Sequence, residues 1–136
     1  MAALAITKCD PVLVELQFTG PAIEAIAEGD RCRFDATAGS IALGNGTNAA
    51  EIAPGGIALH AAAIGEAVTI VNKGIVDVAP LTAFDALNFN APIYVSDTDG
   101  QFSADAGDGT VDTIVGRVIP GWDGTTAQKL LYLNGL

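Results

Sequence analysis

From Val12 onward the chain alternates apolar and polar positions, with Val14, Leu16 and Phe18 on one side and Glu15 and Gln17 on the other. A period of two predicts a strand whose buried face is Val14, Leu16 and Phe18. Gly20 and Pro21 end it. Residues Met1 to Pro11 have no clear period and read as an arm leading into that strand. The stretch from Pro21 to Ala27 is long enough for about two helical turns. Pro21 suits the first helical position and Gly29 the residue past the end, with Ile23 and Ile26 turned toward a sheet.

Beyond Asp30 the chain is short apolar runs punctuated by glycine. Arg31 to Phe34, Ala67 to Val71, Ile75 to Val78, Pro92 to Ser96, Thr113 to Ile119 and Lys129 to Leu133 read as strands, and Ser40 to Leu43 is another short apolar run. Gly44 to Asn48, Asn72 to Gly74, Asp97 to Gly100 and Pro120-Gly121 read as turns. On this reading Asn72-Lys73-Gly74 folds Ala67–Val71 against Ile75–Val78 as a hairpin. Leu81, Phe84 and Leu87 are three apart and allow one or two helical turns. The pattern predicts a mainly β fold: a small antiparallel barrel or sandwich with one or two short helices and an extended N-terminal arm. Residues 1–20 form the arm and first strand, and residues 21–136 the barrel domain. There is no internal repeat and no low-complexity linker.

The 136 residues fit one domain and can bury a core without metal or disulfide staples. Hydrophobic residues make up 50% and charged residues 16%, with a mean hydropathy of +0.41. Either partners cover part of the exterior, or alanine inflates the hydrophobic count. No run approaches the ~20 uninterrupted apolar residues of a membrane helix. The N-terminus has no basic segment followed by a long apolar one, so a signal peptide is not expected and the chain should fold inside the cell. The net charge is −10, and Lys8, Arg31, Arg33, Lys73, Arg117 and Lys129 are scattered. Nucleic acid and anionic membrane need clustered cations, and neither is expected as a partner. Cys9 and Cys32 lack the spacing of a redox or metal pair, and free buried thiols are expected rather than a bridge.

Candidate chemistry is sparse. His60 has no acid, cysteine or serine close in sequence, and reads as a packed or hydrogen-bonded residue. The acids Asp97, Asp99, Asp105, Asp108 and Asp112 invite comparison with a calcium loop. Such a loop needs glycine at position 6 and glutamate at position 12, where this chain has Phe102 and Asp108. No glycine-rich run is a phosphate cradle. Ser40, Ser96 and Ser103 lack a nucleophile elbow. No enzyme activity, cofactor or metal is expected. Trp122 is the single tryptophan, in Pro120-Gly121-Trp122-Asp123-Gly124. It either anchors a partner or folds back to cap the barrel.

An ordered series of segments carries a family resemblance: Glu28-Gly29-Asp30 before an alternating strand, Gly56-Ile57-Ala58-Leu59, Gly65-Glu66-Ala67-Val68-Thr69-Ile70-Val71, Lys73-Gly74-Ile75-Val76, Pro92-Ile93-Tyr94-Val95-Ser96-Asp97-Thr98-Asp99-Gly100, and Val115-Gly116-Arg117-Val118. Together they resemble the capsid cement, or head decoration, proteins of tailed bacteriophages, over about Ala27 to Ile119. Asn90-Ala91-Pro92 stands where relatives commonly carry a glycine-containing turn. The resemblance implies a β-tulip-like barrel and a structural virion protein, made in the host cytoplasm and placed on the outer surface of an icosahedral head. It implies a homotrimer bound to the major capsid protein, with no enzyme activity. Candidate partner-contacting residues are Leu4 and Ile6 in the arm, Trp122, and Tyr132. The arm either reaches a neighbour as an added strand or packs on its own barrel. A carbohydrate- or cell-surface-binding module, with Trp122 and Asp123 stacking on sugar, is the alternative.

Overall fold

Runs of β-branched and aromatic residues between glycine, asparagine and proline fold as strands, where branched side chains pack on a pleated surface. The computed structural model describes residues 3–4, 6–47, 55–79, 84, 87–105, 113–121 and 129–135. Its strands are β1 (Ala3–Leu4), β2 (Lys8–Pro21), β3 (Arg31–Phe34), β4 (Ile41–Leu43), β5 (Gly55–Ala58), β6 (Ala67–Ala79), β7 (Pro92–Val95), β8 (Phe102–Ser103), β9 (Ile114–Pro120) and β10 (Lys129–Asn134). The protein is mainly β, and its antiparallel sheet curls into a half-barrel.

The strands run in the order β1-β8-β7-β9-β10-β6-β5-β3-β4, with β2 added to β6. Strand β6 is the hub. It pairs with β2 from Ala67 to Ala79. A strand has two edges, so β5 and β10 share the other: β5 meets Ile70 and Val71, and β10 meets Lys73 to Val76. Asn72 stands at this fork, and its Nδ2 donates to the Gly55 carbonyl. The sheet therefore divides at β6 into two wings.

Each wing has its own core. Ile57 and Val71 belong to the larger one, with Leu4, Phe84, Phe102, Val118 and Leu131. Their chain neighbours Ala58 and Ile70 belong to the smaller one, with Ile26, Cys32, Ile41 and Val68. Successive strand residues point to opposite faces, so the two cores lie on opposite sides of the sheet.

Three sequence-based expectations change. The hairpin at Asn72-Lys73-Gly74 does not form; β6 runs straight through as 13 residues. Gly74 serves close packing instead of a turn. Its φ is +146°, and a Cβ there would lie 2.2 Å from the Leu13 carbonyl oxygen on β2. The segment from Pro21 to Ala27 is extended rather than helical. Ala22 bridges to Ile41 and Ile26 to Ala62, so its backbone groups bond to neighbouring segments. A short helix must fix several residues for each early hydrogen bond, and these bridges outcompete it. Ile26 is buried while Ile23 is exposed. The third change concerns β2, where Val14, Leu16 and Phe18 were expected to be buried and are exposed.

The predicted turn around Leu81 to Leu87 lies largely outside the described residues, although the Leu87 N–H donates to the Phe84 carbonyl at 3.0 Å. Asn90 has a φ of +69°, a left-handed conformation that asparagine tolerates.

Candidate functional site

Strand β2 is 14 residues long, and only Cys9 along it is buried. Its register explains how this comes about. Leu13, Ile75 and Tyr132 stand opposite one another across β2, β6 and β10. Phe18 stands opposite Ile70, which belongs to the smaller core. Directly opposed residues share a face, so Leu13 and Phe18 look onto the side away from the larger core. On that side Leu13 is 51% exposed, Leu16 55% and Phe18 43%. Phe18 finds one aromatic neighbour, Phe34, edge-on at 4.8 Å. Val12 and Val14 are exposed too. Three consecutive apolar residues, Val12-Leu13-Val14, cannot all face one side of a strand.

The strand carries three register shifts against β6. Val12 and Glu15 are the extra residues on β2, and Asn72 is the extra one on β6. Bulges of this kind bend and twist the strand that bears them. Among the described residues β2 pairs only with β6, so its outer edge carries no strand. The Cys9 N–H at its start donates to Glu28 Oε2 at 2.8 Å.

The chain as a whole is acidic, with a net charge of −10. Four of the six cations donate to the chain's own carbonyls. Arg31 is 1% exposed, its Nη1 lies 2.7 Å from the Cys32 oxygen, and burial pushes its pKa down to about 10. Arg33 donates to Leu43, Arg117 to Asn90, and Lys129 to Leu87 and Phe84. The other two cations, Lys8 and Lys73, sit on β2 and β6. Asp10 stands opposite Asp77, whose carboxyl is pushed up first by burial and then by the Asp10 charge.

No protein-family model, curated protein or solved structure matches this chain.

The residues expected to touch a partner separate. Leu4 is 5% exposed and packs in the larger core, with β1 paired to β8. Ile6 is half-buried and packs against that core, its Cγ2 in the space a Cβ on Gly29 would enter. Leu4 and Ile6 therefore lie against the chain's own barrel, between Gly29 and Phe102. Tyr132 is half-buried on the open face, in the row with Leu13. Trp122 lies outside the described residues. Reasoning from alternation missed β2 as a surface, although Val12-Leu13-Val14 signals a strand apolar on both faces.

The candidate chemical groups make local structural bonds. His60 Nε2 accepts from the Thr69 N–H at 3.2 Å, and its Nδ1 lies 3.0 Å from the Ala61 oxygen. Ser96 Oγ accepts from the Thr98 N–H, and Ser103 Oγ from the Asp105 N–H. Asp99 accepts from Asn45, tying the Asp97–Gly100 turn to the loop at Gly44. Asp108 and Asp112 lie outside the described residues. Among the described residues no three His, Cys, Asp or Glu side chains gather as metal ligands. A pocket of about 180 Å³ is lined by Leu4, Ile6, Asp30 and Phe102 among others. That is below the roughly 300–1,000 Å³ of ordinary small-molecule sites.

Cys9 and Cys32 are free and buried. Burial, then neighbouring Glu28 for Cys9 and Asp30 for Cys32, pushes both thiols up to about 12. The folded state thus holds these protons more tightly than the unfolded chain. Their contribution to stability is intact below the ordinary thiol value of 9.0 and is lost as pH rises toward about 12. Melting temperature should fall across that window. A thiol-specific reagent at pH 8 should label neither cysteine until denaturant is added; rapid labelling of the folded chain would contradict this burial.

Proposed function

We propose that this chain is a capsid cement protein. It binds the outer surface of a tailed-phage icosahedral head as a homotrimer and stabilises the lattice of the major capsid protein. The observation that carries the reading is the long, apolar strand β2, whose apolar side chains are exposed and whose outer edge meets no other strand among the described residues. Isolated apolar residues are normal on a surface, whereas a contiguous apolar strand is a place for protein. The segments that resemble the cement family support the same reading.

The mechanism is mass action. A ligand that binds only the assembled lattice stabilises it by the free energy of that binding. A domain of this size, with a radius of gyration of ~14 Å, can contact two or three neighbouring subunits. A standard interface buries on the order of 800 Å² per partner. Trimerisation links three such contacts, and each after the first gains from effective concentration. On this reading the chain performs no catalysis, holds no cofactor or metal, and engages neither nucleic acid nor membrane.

The test uses heads of the encoding phage assembled without this protein. Added chain should co-sediment with them to saturation and raise the temperature at which they rupture. Failure to bind heads, together with selective binding on a glycan array, would replace this reading with a carbohydrate-binding one.

A further inference from the structure

The outer edge of β2 has the features of a strand acceptor. Edge strands usually carry prolines, charges and bulges that discourage pairing. In β2 the prolines stand near the ends, at positions 11 and 21, and the Cys9 N–H is already taken by Glu28. Its bulges at Val12 and Glu15 lie in the first half of the strand, and from Leu16 to Gly20 no described strand occupies the edge; Val12, Leu13, Val14, Leu16 and Phe18 are all exposed. Backbone groups on the free side of an antiparallel strand point outward at alternate residues and can pair with an incoming chain.

We propose that β2 takes an extended segment of a different, positively charged protein as an added strand, with residues 12–20 providing the backbone pairing. Charge disfavours a second copy on this edge. A symmetric antiparallel pairing centred on Val12–Phe18 would set Glu15 opposite Glu15 of the second copy, and like charges directly opposed destabilise a sheet. The charges on β2 and β6 are the acids Asp10, Glu15 and Asp77 against Lys8 and Lys73, and a segment with lysine or arginine at the end that reaches Asp10 and Asp77 meets the two acids that stand opposite each other. Its own side chains would be apolar, to match a strand that is apolar on both faces.

This inference rests on the reading of the chain as a protein-binding module and names the kind of segment it binds. The probe is a short labelled peptide of alternating valine and threonine with lysines at both ends, measured by fluorescence anisotropy on the full chain. A matched peptide ends in glutamates. The lysine-ended peptide should bind at least about tenfold tighter, and the double substitution Leu13→Glu with Leu16→Glu should weaken it by about tenfold or more. Ile64→Glu, an exposed apolar position off the strand, should leave binding unchanged. Hydrogen exchange on the wild-type chain should slow at amides between residues 12 and 20 when the peptide is bound, a readout independent of whether variants fold. Equal binding of the two peptides, no binding of either, or no protection in β2 overturns the inference. So does a wild-type dimer in sedimentation that the double substitution abolishes. If peptides fail but heads are still decorated, strand addition falls and the cement reading stands. If the lysine-ended peptide binds but heads are not decorated, the reverse holds.

Discussion

Replacing Gly55 or Gly56 with alanine is expected to cost most of the fold. Strand β5 is squeezed between β3 and β6, with Gly56 opposite Cys32 and Ile57 opposite Val71. A Cβ on Gly55 would lie 1.9 Å from the Cys32 oxygen and 2.6 Å from Arg33 Cα. One on Gly56 would lie 2.2 Å from the Val71 oxygen. The obstructing atoms are backbone, so no side-chain rotation relieves the clash, and β5 must move. That movement breaks two ladders and pulls Ile57 and Ala58 out of the two cores they join. Overpacking alone costs about 1–3 kcal/mol, and the broken ladders bring the expected loss to about 4 kcal/mol or more. Domains hold only about 5–15 kcal/mol in total. Gly39→Ala is the comparison: a Cβ there meets nothing within 4 Å, but the φ is +70°, so the cost should be about 1 kcal/mol. Denaturant midpoints for the three variants decide the matter. A near-wild-type midpoint for Gly55→Ala or Gly56→Ala would mean that β5 is not packed as described.

Deleting residues 1–10 should destabilise the barrel, not merely remove a reaching arm. Leu4 is buried against the larger core and opposite Phe102. Cys9 is buried in the same core, and the Thr7 N–H donates to the Ala79 carbonyl at 2.8 Å. Burying one leucine side chain is worth about 1.5–3 kcal/mol. With Cys9 gone and Phe102 uncovered, the expected loss is about 3–5 kcal/mol. The melting temperature should fall by roughly 10 °C or more. An unchanged melting temperature would return the N-terminal segment to the role of a free arm.

Much of this architecture is legible in the sequence. Strands β3, β7, β9 and β10 follow from local alternation and from the turn residues beside them. Asp97 to Gly100 turns as expected, with Gly100 at a φ of +74°. What misleads is context that no local pattern carries. Asn72-Lys73-Gly74 has the composition of a turn, yet Gly74 is demanded by the approach of Leu13 from a strand some sixty residues earlier. The alternation of Val14, Leu16 and Phe18 marks a strand correctly, but alternation cannot say whether anything lies over its face. Burial depends on which strands arrive, and at β2 only β6 does. The exposed apolar surface was not legible: contact residues were expected at Leu4 and Ile6, which the fold buries or half-buries, whereas the exposed apolar side chains are Leu13 and Leu16 a few residues later.

Capsid binding by the exposed residues of β2, as proposed above, is open to one direct measurement. Heads assembled without this protein would be mixed with wild-type chain or with the Leu13→Glu, Leu16→Glu variant, and the bound chain quantified after sedimentation. Wild-type chain should saturate the heads, and the variant, still folded by circular dichroism, should bind at least about tenfold more weakly. A folded variant that decorates heads as well as wild type would contradict the account.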